Sequence, residues 1–289
     1  MTPTLHQPAR ETGYTLRHTS LARLHHREST HMQIHSAVKT DRGRVRQRNE
    51  DAFGLFPTLN LYVVADGLGG HVGGEIASAL AVDVLGSALR ESPDWQPSFP
   101  DPPFAMSAGG ARLVAAVHQA HREVQARSER EPALAGMGTT LAALWLDGDG
   151  PVVVAYICHV GDSRVYRIRA GAITQLTADH SLASQLLREG TLHPQELPTF
   201  RYRHVLTQAL GVSPQLQPDL RGEALEVGDV FLLCTDGIYR EVPEAEMLAV
   251  VQAVGAELQA VCEMLVTLAN ERGGRDDSTI LALRYVARW

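Results

Sequence analysis

The sequence contains little cysteine, no long apolar run and no excess of basic residues. Its three cysteines are far apart among apolar neighbours, so we expect free, buried thiols and neither disulfides nor a cysteine-ligated metal. No apolar stretch approaches the roughly 18 residues that cross a bilayer, and the first residues lack the apolar core of a secretory signal. The net charge of −7 gives no basic footprint for nucleic acid or an anionic membrane. These absences predict a cytoplasmic protein that neither binds nucleic acid nor inserts into a membrane.

The composition that remains is that of a globular protein, with 44% apolar and 20% charged residues in a chain of 289. Residues 1–32 are rich in His, Arg and Thr and show no sustained apolar period, which predicts a disordered N-terminal tail. We expect residues 33–289 to form a single domain.

Strand and helix signals come in blocks and do not alternate strictly. Strands are predicted at Gln33–Asp41, Asp51–Phe56, Leu61–Ala65, Thr139–Leu146, Val152–His159, Arg164–Arg169, Ala172–Leu176, Leu216–Gly222, Val230–Cys234 and Asp277–Tyr285. Helices are predicted at Glu75–Arg90, Leu113–Arg130, Ser181–Glu189, Pro243–Val254 and Ala256–Glu271. The four strands between residues 139 and 176 read as an antiparallel meander. This order favours the α+β class, with a central antiparallel β-sandwich flanked by helices, over a doubly wound fold.

Several acidic residues share one local pattern, in which the acid stands where a strand begins or ends. Asp66 and Asp236 follow apolar strands and precede glycines, whereas Asp51 begins a predicted strand and Asp276 stands just before one. Any single one of them fits an ordinary surface acid at a turn, because Asp-Gly is frequent there. If the strands pair, four carboxylates converge at one sheet edge, and their repulsion is costly without a cation. Oxygen ligands favour Mg²⁺ or Mn²⁺ over zinc, and two such ions suit in-line attack on a phosphoryl group.

Eight motifs in a fixed order make the pattern more specific. They are Thr40–Gly43 with Arg46 and Asn49–Asp51, Ala65–His71, Gly136–Thr140, His159–Arg164, Thr177–Ser181, Leu206–Gly211, Cys234–Gly237, and Gly274–Ser278. Through these motifs the chain resembles the PPM family of metal-dependent protein phosphatases, the protein phosphatase 2C group, in its bacterial form. The resemblance extends from about Val38 to Tyr285, which is nearly everything except the tail.

The resemblance implies an α-β-β-α sandwich with a dinuclear Mn²⁺ or Mg²⁺ site at one end. The metal-ligand positions of the family match Asp51, Asp66, Asp236, Asp276 and the backbone carbonyl of Gly67. The phosphate-binding arginine matches Arg46, whose planar fork suits bidentate contact with phosphate oxygens.

Three further positions complete the expected site. Glu50 is expected to act through metal-bound water, and His71 is a candidate general acid with an alternative structural role. Ala135 stands where many bacterial members have an Asp that helps to hold a third metal, so two ions are expected here.

The expected function is a protein serine/threonine phosphatase in which a hydroxide bound to the dinuclear metal attacks phosphorus. The expected partners are phosphorylated proteins, substrates of a Ser/Thr protein kinase, and the protein is expected to be a monomer. A flap at about residues 181–212 is expected to lie near the metals and to help select substrates. Two alternatives are a catalytically silent binding or sensing module, which retention of all four acids disfavours, and a hydrolase of small phosphate esters.

Overall fold

The computed structural model describes residues 32–68, 73–91, 108–147 and 153–288, all within one compact unit, His31–Trp289. Residues 1–31 of the predicted tail and the candidate acid His71 therefore lie outside the described residues, whereas Met32, the last residue of that tail, begins the first strand. The strands are β1 (Met32–Asp41), β2 (Asp51–Phe56), β3 (Leu61–Leu68), β4 (Gly138–Thr139), β5 (Leu141–Asp147), β6 (Val154–Val160), β7 (Arg164–Arg169), β8 (Ala172–Gln175), β9 (Asp219–Ala224), β10 (Val230–Cys234) and β11 (Ser278–Arg288). The α-helices are α1 (Gly73–Glu91), α2 (Ala108–Arg130), α3 (Leu182–Arg188), α4 (Asp236–Tyr239), α5 (Glu244–Val254) and α6 (Leu258–Glu271).

The strands form two antiparallel sheets. Sheet A has the order β1-β11-β10-β7-β8, and sheet B has the order β2-β3-β5-β6-β9, with β4 pairing beside β3. The last strand, β11, lies between β1 and β10, as its apolar sequence predicts. The α+β sandwich expected from the sequence is confirmed.

The side chains of each central strand alternate between two separate apolar layers. In β3, Leu61, Val63 and Ala65 pack with α1 and α2, whereas Tyr62 and Val64 face the other sheet. Alternation of this kind follows from the two-residue period of a strand. Because both faces are buried, the run Leu61–Ala65 is apolar throughout, and the sandwich has one core between its sheets and one beneath each helix layer.

The predicted meander between residues 139 and 176 is wrong. The β5–β6 pair belongs to sheet B, whereas the β7–β8 pair belongs to sheet A, where β7 adds to β10. The chain changes sheets at the turn between Val160 and Arg164, where Gly161 has a φ of 97°. Local patterning predicts each hairpin but not the sheet that it joins, because both sheets offer the same alternating apolar faces.

Candidate active site

The four predicted acids lie at one end of the sandwich. Asp51 and Asp66 are directly opposite each other in the β2–β3 register. Asp236 begins α4 two residues after β10, and Asp276 lies two residues before β11. Because β10 and β11 are antiparallel, the end of one meets the start of the other. The fold therefore brings together carboxylates that are up to 225 residues apart in the chain.

Threonine hydroxyls join the two sheets at this end. The Thr235 hydroxyl, which follows β10 of sheet A, donates to Asp51 Oδ2 in sheet B at 2.8 Å. The same hydroxyl accepts a bond from the Thr279 amide at 3.0 Å, and the Thr279 hydroxyl lies 2.7 Å from that of Thr40. The Thr235–Asp51 bond links the two sheets where the acids meet, and the other two bonds hold Thr235 and Thr279 in place within sheet A.

Two hydrogen bonds with Thr140 hold the backbone of Asp66 in place. Its amide donates to the Thr140 hydroxyl at 2.9 Å, and its carbonyl accepts from the Thr140 amide at 2.8 Å. The neighbouring Gly67 has no room for a side chain, since a Cβ there would lie 2.3 Å from the Gly74 carbonyl oxygen and 2.5 Å from that of Glu50. The predicted strand ended before Asp66, whereas β3 runs on to Leu68 because Gly67 and Leu68 pair with β4. Glycine at this position allows α1 and β2 to approach the β3 backbone closely.

Burial raises the pKa values of several acids at this end of the sandwich. Burial of the carboxyl raises the pKa of Asp51 and of Asp66 well above the usual range, and neighbouring carboxylates, Asp236 among them, raise both further. Burial also raises the pKa of Asp236 to about 7, although nearby Arg240 opposes the shift. The pKa of Asp277 rises to about 6, again chiefly through burial. Ionised carboxylates in such a place require positive charge.

The buried oxygens of these acids are suited to hard cations. Asp51 Oδ1, Asp236 Oδ1 and Asp277 Oδ1 are buried and have no hydrogen-bond partner among the described residues. A buried carboxylate oxygen without a partner is unfavourable, and carboxylate oxygens are the ligands that Mg²⁺ and Mn²⁺ prefer. The donor set therefore fits the predicted ions.

Two arginines border the acids. Arg46 Nη2 lies 2.7 Å from Asp276 Oδ1, and the Arg46 side chain remains 47% exposed. Arg240 Nη1 lies 2.6 Å from Asp236 Oδ2, and its Nη2 lies 3.3 Å from Asp162 Oδ2. The predicted phosphate-binding arginine therefore stands at the acid cluster with a face open to solvent.

Sequence reasoning did not assign Arg240 or Asp162 to the site. Asp162 is buried and contributes negative potential at both Asp66 and Asp236. The four-residue spacing between Asp236 and Arg240 was a usable signal once α4 was recognised, since residues four apart share a helix face. Arg164 has a structural contact, because it makes two hydrogen bonds to Asp179 at 2.7 and 2.9 Å.

Glu50 and Ala135 also lie in the described part of the chain. Glu50 is buried, its amide donates to Asp277 Oδ2 at 2.8 Å, and its carboxyl packs against the start of α1 near Gly74. Ala135 is exposed after a short 3-10 helix, Pro132–Leu134, and its methyl group offers no donor atom to an ion.

The segment predicted as a flap contains α3 and a 3-10 helix, Pro194–Thr199. Its two ends are pinned together, since the Leu182 amide donates to the Val205 carbonyl and the Thr207 amide to the His180 carbonyl, both at 2.8 Å. A cavity of about 520 Å³ separates the segment from the acids, lined by Asp162, Gly237 and Asp276 on one side and by Ser184, Leu197 and His204 on the other. The cavity is a route by which a substrate could reach the acids.

Comparison with known proteins agrees with this geometry. Residues 40–273 match the sequence model of the family described as protein phosphatase 2C. The chain is 34% identical over 251 residues to the serine/threonine phosphatase stp of Listeria innocua, which covers 86% of this chain and 94% of that protein. It matches the crystal structure of the serine/threonine phosphatase PstP/Ppp of Mycobacterium tuberculosis with a TM-score of 0.76 at 32% identity, covering 88% of this chain and 99% of that one.

A structure of the PstP catalytic domain in complex with two manganese ions matches with a TM-score of 0.73 at 32% identity, covering 89% of this chain and all of that one. The chain belongs to the protein phosphatase 2C family. The family and the fold that the motifs predicted are confirmed, and the two manganese ions of that PstP structure agree with the predicted type of ion.

Proposed function

We propose that this protein removes phosphate from phosphoserine and phosphothreonine in proteins, using two Mn²⁺ or Mg²⁺ ions at the acidic end of the sandwich. The observation that carries the proposal is the convergence of four carboxylates at strand ends, two of which, Asp51 and Asp236, have a buried oxygen without a hydrogen-bond partner among the described residues. Membership of a phosphatase family and likeness to serine/threonine phosphatases of similar length support it.

The ions would be held by the carboxylates of Asp51, Asp66, Asp236 and Asp276 and by the carbonyl of Gly67. When bound, they supply the positive charge that lowers the pKa of water and neutralises the phosphoryl oxygens. The chain supplies the geometry, because hydrogen bonds fix Asp51 and Asp66 before any ion arrives. Arg240 already provides a cation at the second oxygen of Asp236, and Ala135 has no ligand atom, which supports two ions and not three.

Arg46 would bind the phosphate. Its contact with Asp276 aims the guanidinium at the acid cluster, and its exposed edge can present paired N–H donors to phosphate oxygens. Glu50 would act from behind the ligands by accepting hydrogen bonds from water. Candidate acids for the leaving alkoxide include His71, and a variant of that residue would test the assignment.

The expected substrates are phosphoproteins made by a Ser/Thr protein kinase, and we keep a monomeric state and a cytoplasmic location as proposals. All three cysteines are free and buried, which supports a reducing compartment. No helix in the described ranges is long and apolar enough to cross a membrane. We also propose that residues 33–289 form the phosphatase domain and that residues 181–212 act as its substrate flap.

Hydrolysis of a phosphothreonine peptide tests the proposal. We expect phosphate release with Mn²⁺ or Mg²⁺, none with chelator, and a loss of at least about a hundredfold in Asp236→Asn, since removal of one key electrostatic group commonly costs that much. Asp83→Asn, an exposed acid on α1, is the matched control and should keep full activity. Folded protein that releases no phosphate with any metal would instead support the silent binding module.

A further inference from the structure

Two histidines and an aspartate that the catalytic site does not use come together at the base of the flap segment. His159, His180 and Asp219 each place one ligand atom within 4.8 Å of the others. The imidazole rings of His159 and His180 are 4.6 Å apart between centroids, and His180 Nε2 lies 3.3 Å from Asp219 Oδ2. His159 and Asp219 are paired across β6 and β9, so the sheet itself fixes their approach. The cluster is thus built by three separate parts of the fold.

Backbone groups hold both rings in place. His159 Nε2 donates to the Ala178 carbonyl at 3.0 Å, so a neutral His159 keeps a lone pair on Nδ1. Burial lowers the pKa of His159, with a smaller contribution from His180, which favours the neutral, ligating form. A ring whose second nitrogen donates to a backbone carbonyl is the usual arrangement for a metal-bound histidine.

The cluster opens to solvent on one side. A cavity of about 390 Å³ is lined by His159, Ala178 and Asp219, and the Asp219 side chain is 56% exposed. Arg221 also lines this cavity, but its charge is engaged by Glu223, 2.5 Å away. Glu223 also pairs with Arg167, and the exposed Asp219 carboxylate offers an approaching ion a negative charge at this cavity.

We propose that His159, His180 and Asp219 form a zinc site separate from the catalytic acids. Two imidazoles and one carboxylate, with water in the fourth position, are a ligand set that Zn²⁺ uses, whereas the all-oxygen catalytic site favours harder ions. Binding requires one rearrangement. His180 Nδ1 accepts from the Gly161 amide at 3.3 Å, so Nε2 carries the proton of the neutral ring. When an ion binds Nε2, this proton moves to Nδ1, which can then no longer accept the long hydrogen bond from Gly161.

The site would tie the base of the flap segment to sheet B. The His180 amide donates to the Gly161 carbonyl and the His180 carbonyl accepts from the Thr207 amide, both at 2.8 Å. A zinc ion on the His180 ring adds a link from this point to β6 and β9. Zinc should therefore slow amide exchange at Thr207.

Calorimetric titration of the full chain with zinc, in saturating Mg²⁺, measures the number and affinity of bound zinc ions and tests the proposal. Magnesium occupies the acidic site, and the histidine-rich residues 1–31 are the same in every variant. Wild-type protein should bind one zinc ion more than Asp219→Asn, or bind it more than about tenfold more tightly, since even loss of an indirect metal partner costs 10- to 100-fold. His159→Asn should behave like Asp219→Asn, and His35→Gln, at an exposed site on β1, should behave like wild type.

Tetrahedral Co²⁺ absorption gives a second readout, with an intense visible band expected in wild type and lost in Asp219→Asn. Because Asp219 is exposed and asparagine has the same shape, this variant should fold, as its thermal midpoint without zinc will show. Equal zinc stoichiometry and affinity in wild type, Asp219→Asn and His159→Asn would overturn the proposal, whatever the phosphatase activity.

Discussion

At the scale of single residues, the catalytic end of the sandwich depends on side chains that make two different contacts at once. Asp236 directs Oδ2 to Arg240 and leaves Oδ1 buried without a partner among the described residues. Asp51 likewise accepts a hydrogen bond from Thr235 at Oδ2, and its Oδ1 has no hydrogen-bond partner among the described residues. One oxygen of each carboxylate orients the group, and the other is left for a ligand. Preorganisation of this kind lets an ion bind without first rearranging the acids.

Arg46→Lys should lower kcat/KM for a phosphothreonine peptide by about tenfold or more. Lysine keeps the charge but loses the planar fork that holds phosphate with two parallel hydrogen bonds. Steady-state kinetics at fixed Mn²⁺ measures the effect. Arg48→Lys is the control, because Arg48 is 61% exposed and pairs with Glu75 at 3.5 Å. Equal losses in both variants would argue against a phosphate contact by Arg46.

At the scale of elements, the site depends on how closely α4 approaches the start of β11. A Cβ on Gly237 would lie 2.0 Å from the Asp277 carbonyl oxygen. Gly237 lies in α4 next to Asp236, and Asp277 directly precedes β11 next to Asp276. The small residue thus sets the distance between two of the predicted metal ligands.

Gly237→Ala should destabilise the protein by about 1–3 kcal/mol, the usual cost of an overpacked site, and should weaken Mn²⁺ binding. The methyl group would push the backbone of Asp277 away and would separate Asp236 from Asp276. Urea denaturation and Mn²⁺ titration measure the two effects. Gly222→Ala in β9 serves as control, because the added Cβ makes its nearest contact with Val154 at an ordinary 3.5 Å. If both variants bind Mn²⁺ as wild type does, the α4–β11 spacing does not set the site.

At the scale of the whole molecule, the acidic end opposes folding when ions are removed. The pKa of Asp236 is about 7 and that of Asp277 about 6 in the fold, against 3.8 for an ordinary aspartate. Between pH 3.8 and about pH 7, the carboxyl groups of the folded protein keep protons that the unfolded chain has lost. The unfolding free energy therefore falls as pH rises through this window.

In chelator, the stability of the wild type should fall between about pH 4 and pH 7 more steeply than that of Asp236→Asn, which lacks the titrating carboxyl. Saturating Mg²⁺ should flatten the wild-type profile, since ions bind the ionised acids and compete with protons. Urea midpoints at several pH values measure all three profiles. Comparing the wild type with the variant cancels the contributions to stability of other titrating groups, such as His159, whose pKa is lowered by burial. A chelated wild type whose profile parallels that of the variant would contradict the raised pKa of Asp236.

Deleting residues 1–31 should leave turnover of a small aryl phosphate nearly unchanged. Every described side chain of the acid cluster lies at or beyond Arg46, so the deletion removes none of them. Metal-dependent hydrolysis by the truncated and the full-length chain makes the comparison. A large loss on truncation would show that the first residues take part in catalysis.

The sequence alone determined the elements and the chemistry of the acids. The continuous apolar runs Leu61–Ala65 and Val230–Cys234 predict strands buried on both faces, and Asp66 and Asp236 follow these runs in the sequence. Such signals are local, so they survive without knowledge of the fold. The sequence did not give the exact ends of the elements, since the predicted strand ended at Ala65 whereas β3 extends to Leu68.

Only the tertiary structure decided which distant residues meet. Strands of both sheets present similar apolar faces, so the sequence did not predict that β7 pairs with β10 and not with β6. The contact of Arg240 with Asp162 and the cluster of His159, His180 and Asp219 have the same origin, because each depends on elements that only the packed sandwich brings together. The sequence shows which residues can bind ions or phosphate, but long-range packing of the sheets brings these residues together.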